Sequence, residues 1–304
     1  MKVKILLSSY NGEQYIREQI DSLLSQTQTG VEILVRDDGS TDSTKAILDE
    51  YQDRDRLSWY GGENLGPGLS FWKLLEDSGE ADYYAFCDQD DVWDQDKVET
   101  AVRTLEEEIP DINSIPALYC GDVRVVDKDL NPMADHMMVQ IPTDYPHALI
   151  RSIAPGCTFV FNRQARDLLC RFDAKKYGVG LFDWTAYQII ACFGRVIFDP
   201  QGHMSYRQHG DNAIGAVTDF YRERLRKIKK FWSGDKKNSR QQNALRLGRA
   251  FGREMSPENR RITRDFARYK KDPRCKLRLL KDKSTYYPGS EYLLFKLLIL
   301  FNRL

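Results

Sequence analysis

The chain is expected to fold as an α/β domain with a mostly parallel sheet flanked by helices, followed by a basic helical extension. Three observations predict this. Short apolar runs at residues 3–8, 31–35, 57–60 and 83–87 alternate with segments whose apolar residues recur at helical spacing, the pattern of β-α-β units. Two of those runs end in acidic turns, Asp37-Asp38-Gly39-Ser40 and Asp88-Gln89-Asp90-Asp91, and parallel sheets bind ligands beyond the carboxyl ends of their strands. From about Phe220 onward the chain becomes long, basic and helical in pattern. A boundary near 215 divides it into 1–215, the α/β domain, and 216–304, the extension.

Taken in order, Val3 to Ser8 reads as a buried strand, followed by an Asn11-Gly12 turn. Ile16, Ile20, Leu23 and Leu24 then mark a helix over 14–26, apolar along one face. A strand from Val31 to Val35 leads into a helix reaching Tyr51, with Ser40 or Asp42 as its cap. A weak strand over Leu57 to Tyr60 precedes the glycine-rich turn 61–68 and a helix over Leu69 to Asp77. Tyr83 to Cys87 is the strand that delivers the second acidic turn, and a helix follows over 97–107. Residues 117–126, 157–161 and 196–198 read as further strands. A helix begins near Asp183, and Tyr206 to Asn212 reads as a polar loop.

At 304 residues, with 41% hydrophobic and 30% charged residues, the chain reads as globular and has ample length for a core. The six cysteines form no C-x-x-C pair, which disfavours zinc and disulfide frameworks and fits a reducing compartment. No secretory leader is expected. A net charge of zero conceals a gradient: residues 1–110 hold 25 acids and 10 bases, whereas 221–304 hold 8 acids and 25 bases. The acidic part is expected to carry the catalytic face, and the basic part to seek an anionic partner.

The acidic run after the fourth strand carries the chemistry. Side chains at i and i+2 of extended backbone point the same way, so Asp88 and Asp90 converge on one small volume. Two close carboxylates repel unless a cation lies between them. Mg²⁺ takes few protein carboxylates and completes its shell with phosphate oxygens. The layout is that of a site gripping a diphosphate through Mg²⁺ or Mn²⁺.

Read in order, Leu7-Ser8-Ser9-Tyr10-Asn11-Gly12, Asp37-Asp38-Gly39-Ser40-Thr41-Asp42, Asp88-Gln89-Asp90-Asp91 and Phe182-Asp183-Trp184 resemble the inverting family 2 glycosyltransferases with the GT-A fold. Gly156-Cys157-Thr158, Phe161-Asn162-Arg163, Asp183-Trp184 and Tyr206-Arg207-Gln208-His209-Gly210-Asp211-Asn212 look most like the bacterial rhamnosyltransferase branch. The resemblance implies that Ser8 and Tyr10 hold the nucleotide base and that Asp38 accepts the imide N–H of uracil or thymine. It places Asp90 on the metal, Asp88 on ribose hydroxyls or the metal's water shell, and Asp183 as the general base. The base role competes with a capping role at the helix start. His209 is expected on the metal or the leaving diphosphate, and Arg207 is expected to neutralise diphosphate charge.

The implied donor is a dTDP- or UDP-sugar, dTDP-β-L-rhamnose if the branch holds. The implied acceptor is a lipid-linked saccharide of a bacterial cell-wall or surface polysaccharide. Residues 221–237 set eight bases among Leu225, Ile228, Phe231 and Trp232, as in an amphipathic basic helix on an anionic membrane. Residues 292–301 are apolar nearly all round but too few to span a bilayer, which takes about 20. That segment is expected to dip into the interface, pack on a second subunit as a homo-oligomer, or dock on the body. The expected location is cytoplasmic, peripheral at the inner face of the membrane. Nucleic acid is not an expected partner, for no binding module is present. Two rivals stand: a Mg²⁺-dependent phosphohydrolase, whose D-x-D normally follows the first strand of its core, and a membrane-bound partner subunit that binds sugar nucleotides without turnover.

Overall fold

A computed structural model describes residues 1–138, 141–209, 240–287 and 290–304. The central sheet holds seven strands: β1 (Val3–Ser9), β2 (Val31–Asp37), β3 (Ser58–Gly61), β4 (Tyr83–Cys87), β6 (Ala117–Gly121), β9 (Val160–Asn162) and β10 (Arg195–Asp199). Their order across the sheet is β10-β6-β9-β4-β1-β2-β3. β1 pairs in parallel with both β2 and β4, while β9 runs antiparallel between β4 and β6. A second sheet, β5-β11-β7-β8, joins β5 (Val92–Trp93), β7 (Arg124–Val126), β8 (Pro132–Ala134) and β11 (Met204–Arg207).

Both faces of the central sheet are covered, which is why its strands are apolar throughout rather than alternating. Val3, Ile5 and Leu7 of β1 point to one core, shared with α1 (Ile16–Leu24), α2 (Thr44–Gln52) and α4 (Lys97–Glu108). Leu6 points to the other, with α3 (Pro67–Asp77), α6 (Arg163–Cys170) and α8 (Phe182–Phe193). Short helices α5 (Tyr145–Ala148) and α7 (Ala174–Tyr177) complete this layer.

The last four helices, α9 (Arg240–Phe251), α10 (Pro257–Arg268), α11 (Pro273–Lys281) and α12 (Ser290–Leu300), continue this second core. Leu247, Phe251, Ile262 and Phe266 are buried in it. The ring of Phe251 lies 5.5 Å from that of Phe193, and the Tyr145 hydroxyl lies 2.7 Å from that of Thr263. The described part of the extension is thus packed on the α/β body. The expected division at 215/216, the basic stretch 221–237 and the latter part of the polar loop fall within residues 210–239, outside the described residues.

Some expectations are corrected. The run 117–126 is two strands in different sheets, because the chain turns at Asp122 and its carboxylate accepts the amides of Val123, Met137 and Met138. The strand placed at 157–161 is a 3-10 turn, Gly156–Thr158, followed by β9. Residues 206 and 207, read as loop, end β11, which runs parallel to β7 and antiparallel to β5.

Candidate active site

The carboxyl ends of β1, β2 and β4 meet on one edge of the central sheet, and most of the residues singled out from the sequence lie there. β4 is buried along its whole length, so it fixes the turn that follows. In that turn the Asp91 carboxylate accepts the backbone amide of Arg207 at 3.0 Å, while its other oxygen is buried without a hydrogen-bond partner. Burial, then the charges of Asp90 and Asp88, hold Asp91 well above the usual carboxylate range. Asp88 is pushed up to about 7 by burial, then by Asp90 and Asp183. Ligand atoms of Asp88, Asp91 and Cys157 all lie within 4.8 Å of one another.

Asp183 reaches the same place from the far side of the sequence. Phe182 stacks on Phe71 at 4.2 Å and meets Phe86 of β4 edge-on at 5.3 Å, which seats the start of α8 beside β4. Gly156 permits this approach, since a Cβ there would lie 2.6 Å from the Phe182 ring and 3.0 Å from the Asp183 Cβ. The helix cap is Leu181, so Asp183 lies within the first turn and does not cap it. Its carboxylate accepts the Trp184 amide at 2.6 Å. Burial pushes the Asp183 carboxyl up to about 6, against the lowering effect of the Trp184 and Gly156 amides. A carboxylate in that range is ionised at neutral pH yet more basic than usual, as suits a general base.

His209 Nε2 lies 2.8 Å from Asp90 Oδ2, so the two residues expected to share a metal are adjacent. The residues present fit a divalent cation. Asp88 and Asp91 are held above the usual carboxylate range by burial and then by neighbouring carboxylates, and Asp91 has a buried oxygen with no hydrogen-bond partner. Hard carboxylate oxygens are the donors Mg²⁺ and Mn²⁺ prefer.

On the nucleotide side, Ser8 Oγ lies 2.6 Å from Ser70 Oγ, which accepts from Arg36 at 2.8 Å. Arg36 in turn donates to Asp38. The Asp38 carboxylate also accepts the amides of Leu65 and Gly66, each at 2.9 Å. Ser8 and Asp38 therefore lie at two ends of one polar chain, and the glycine-rich turn 61–68 is tied to Asp38. Tyr10 is exposed. Its backbone is clipped in both directions by Gln89, whose Oε1 accepts the Tyr10 amide at 2.8 Å and whose Nε2 donates to the Tyr10 carbonyl at 3.0 Å. The turns themselves are closed by Asp37, which accepts from Ser9, Gly39 and Ser40, and by Asp42, which accepts from Glu13 and Thr44.

Arg207 corrects an expectation. It is buried, and its guanidinium donates to the Asp90 carbonyl at 2.8 Å, the Lys128 carbonyl at 2.5 Å and the Glu18 carboxylate, with the Tyr15 ring 4.7 Å away. It braces the acidic turn from behind, where it had been expected to face a diphosphate. Reasoning from the sequence also passed over Gln89, Arg36, Ser70 and Lys97. Lys97 is fully buried beneath the turn, its Nζ 3.2 Å above the Trp93 ring, and burial brings its pKa down to about 8.

The family model for glycosyl transferase family 2 matches residues 4–166. The chain belongs to that family. A dTDP-rhamnosyl transferase, RfbG of Shigella flexneri, is 28% identical over 233 residues, covering 70% of this chain and 75% of that protein. The putative teichuronic acid biosynthesis glycosyltransferase TuaG of Bacillus subtilis is 36% identical over 107 residues, 34% of this chain and 42% of that one. Among solved structures, S. aureus TarS with UDP-GlcNAc aligns over 91% of this chain and 83% of its own, with a TM-score of 0.56 at 17% identity. The mannosyltransferase PcManGT of Pyrobaculum calidifontis, with GDP-Man and Mn²⁺, aligns over 98% and 80%, with a TM-score of 0.51 at 16% identity. The fold is GT-A, and the glycosyltransferase adopts the mixed sheet and flanking helices expected of it. Family membership, with D-x-D following β4 and not β1, sets the phosphohydrolase rival aside.

Proposed function

We propose that this glycosyltransferase moves L-rhamnose from dTDP-β-L-rhamnose to a hydroxyl of a lipid-linked saccharide, during assembly of a bacterial cell-wall or surface polysaccharide. The observation that carries the transferase chemistry is the convergence of Asp88, Asp90, Asp91 and Asp183, from β4 and α8, on one buried acidic corner. The RfbG likeness supports the donor, and the TuaG likeness supports the polymer context.

The base of the nucleotide lies against the Tyr10 ring, an exposed flat face suited to stacking on a pyrimidine. Ser8 and Asp38 belong to one polar chain through Ser70 and Arg36, and Asp38 accepts the imide N–H. Arg36 and the Leu65 and Gly66 amides hold that carboxylate in one orientation. Asp88 would bind ribose hydroxyls or the metal's water shell, and Asp90 with His209 would hold the ion. A bound Mg²⁺ or Mn²⁺ supplies neutralisation of the charge that develops on the departing diphosphate. Asp183 removes the proton of the acceptor hydroxyl, which attacks the anomeric carbon from the face opposite the diphosphate. The carbon–oxygen bond to the diphosphate breaks, dTDP leaves with the electron pair, and an α-L-rhamnosyl product forms by inversion.

A thermal-shift panel of nucleotide sugars, with and without Mn²⁺, tests the donor. A donor that binds only the folded state raises Tm, so dTDP-rhamnose with Mn²⁺ is expected to give the largest rise. A larger rise with a UDP-sugar would replace the donor. No rise with any nucleotide sugar would remove the reading.

A further inference from the structure

α12 is apolar nearly all round, and among the described residues one side of it packs on the body. Phe295 and Ile299 are 1% and 0% exposed, packed against the last helices. On the opposite arc Leu293, Leu297, Leu300 and Phe301 are 64%, 38%, 50% and 59% exposed, and Leu294 borders them. At 3.6 residues per turn these five fall within one third of the helix circumference. Leu277 of the neighbouring α11 is 53% exposed as well, with the exposed Arg274 and Lys281 on the same helical face. Apolar surface of this kind marks an interaction site.

The surrounding charge says what covers it. Residues 270–304 carry nine bases and three acids. Two of those acids are committed internally: Asp272 caps α11 through the Arg274 amide at 2.9 Å, and Asp282 pairs with Arg261 at 3.1 Å. Arg274 and Lys281, which flank Leu277 on its helix, and Lys283 and Arg303, close in sequence to the ends of these helices, are exposed. Lys296, by contrast, folds back onto the Leu279 carbonyl at 2.8 Å and leaves the face uncharged. An exposed apolar stripe in a segment whose exposed charges are cationic fits an anionic bilayer surface, apolar side chains among acyl chains and cations at headgroups. A second copy of the chain would bring the same cations against themselves. With 11 residues and a rise of about 1.5 Å each, α12 covers about half of the roughly 30 Å hydrocarbon core. No helix among the described residues is long and apolar enough to cross a membrane.

We propose that the Leu293–Leu297–Leu300–Phe301 face of α12 lies flat in the interface of an anionic membrane and is the surface that docks the enzyme there. This deepens the functional reading given above and rests on it only for the acceptor being held at that membrane.

The test uses the full chain in flotation with phosphatidylcholine vesicles, plain or containing about one third phosphatidylglycerol. The wild type is expected to float with the anionic vesicles, and to do so less in high salt. The triple variant Leu293→Ser/Leu297→Ser/Phe301→Ser is expected to lose at least roughly tenfold in vesicle affinity. Because the replaced side chains are exposed, its Tm and the Tm rise given by dTDP with Mn²⁺ should match the wild type. Wild-type protein that ignores anionic vesicles, or a triple variant that binds them equally, overturns the proposal. So does a dimer, seen by light scattering, that the triple variant converts to monomer, for the face would then belong to a second copy. Failure of the dTDP response in both proteins strikes the donor reading and leaves the vesicle result standing.

Discussion

His209 Nε2 and Asp90 Oδ2 lie 2.8 Å apart although 119 residues separate them in sequence. The contact joins the end of the second sheet to the acidic turn of the first. If the pair holds a metal, His209→Ala and Asp90→Ala should each abolish the extra Tm rise that Mn²⁺ gives in the presence of dTDP. Transfer should fall by about 10²–10³, the range seen when a group stabilising transition-state charge is removed. Differential scanning fluorimetry with and without Mn²⁺, alongside initial rates, checks both.

With Asp183 as the proposed general base, activity and stability pull in opposite directions at that residue. Its carboxyl is raised from 3.8 to about 6 in the folded protein, chiefly by burial, so the fold favours the protonated form. Between pH 4 and 6 the folded state binds more protons than the unfolded one, and stability falls as pH rises through that window. Asp183→Asn should therefore stabilise the protein above pH 6 and lose this advantage below pH 4. One pKa unit is about 1.36 kcal/mol. Because Asp183 is not fully removed from solvent, the effect is discounted for screening and a gain on the order of 1–2 kcal/mol is expected. The same variant should lose about 10²–10⁴ in rate, and the wild-type rate should rise through a limb near pH 6. A pH series of Tm and of kcat measures all three.

Asp38 and Arg36 form a buried pair, and Arg36 has Ser70 and the Glu63 carbonyl as further partners. Breaking such a pair from one side strands the other charge, at a cost of about 3–5 kcal/mol. Asp38→Asn also presents an amide group to the Leu65 and Gly66 N–H donors. A fall in Tm together with weaker dTDP binding is expected. Arg36→Met should reproduce the Tm loss, and chemical denaturation of both variants gives the size.

The alternation of elements was legible because β1, β2 and β4 are continuous apolar runs with turn residues at their ends, and because α1, α2 and α4 each bury one periodic face. The i, i+2 spacing brought Asp88 and Asp90 together, whereas Asp183 was singled out only through the family resemblance. Three things were not legible. β7 and β11 are three and four residues long, at or below the shortest length at which alternation separates strand from loop. The bonds of Gln89 to Tyr10 and of Arg36 to Ser70 cross between elements, and nothing local marks them. Arg207 was misread because a guanidinium on a long stem is placed by whatever surrounds it: here the carbonyl of Asp90, 117 residues away in sequence. The sequence told where cations and carboxylates gather, but not which way each faces.

Arg207 separates bracing from diphosphate binding. Arg207→Lys keeps the charge but loses the fork that reaches Asp90, Lys128 and Glu18 together, a substitution that is not conservative at such a site. Loss of stability by about 2–4 kcal/mol is expected from a broken buried network. The residual folded enzyme should show a raised KM for metal along with the donor, because the acidic turn is no longer held. A variant with unchanged Tm and a raised donor KM alone would return Arg207 to the diphosphate.

Gly12 and Gln89 make the last test, and it concerns how Tyr10 is held in place. A Cβ on residue 12 would come within 2.3 Å of Gln89 Oε1, so Gly12→Ala must push that side chain off the Tyr10 backbone. The obstructing atom is the end of a flexible side chain, so the fold should survive and the cost should fall on Tyr10, which loses both hydrogen bonds from Gln89. Weaker dTDP binding is expected, by about 1 kcal/mol for each net hydrogen bond lost. Gln89→Ala should weaken binding by a similar amount, since it removes the same two bonds without the clash. The double variant should be no worse than either single one, because both act on one contact. Isothermal titration of dTDP against all four proteins closes the cycle. Additive losses would mean that Gln89 does not position Tyr10.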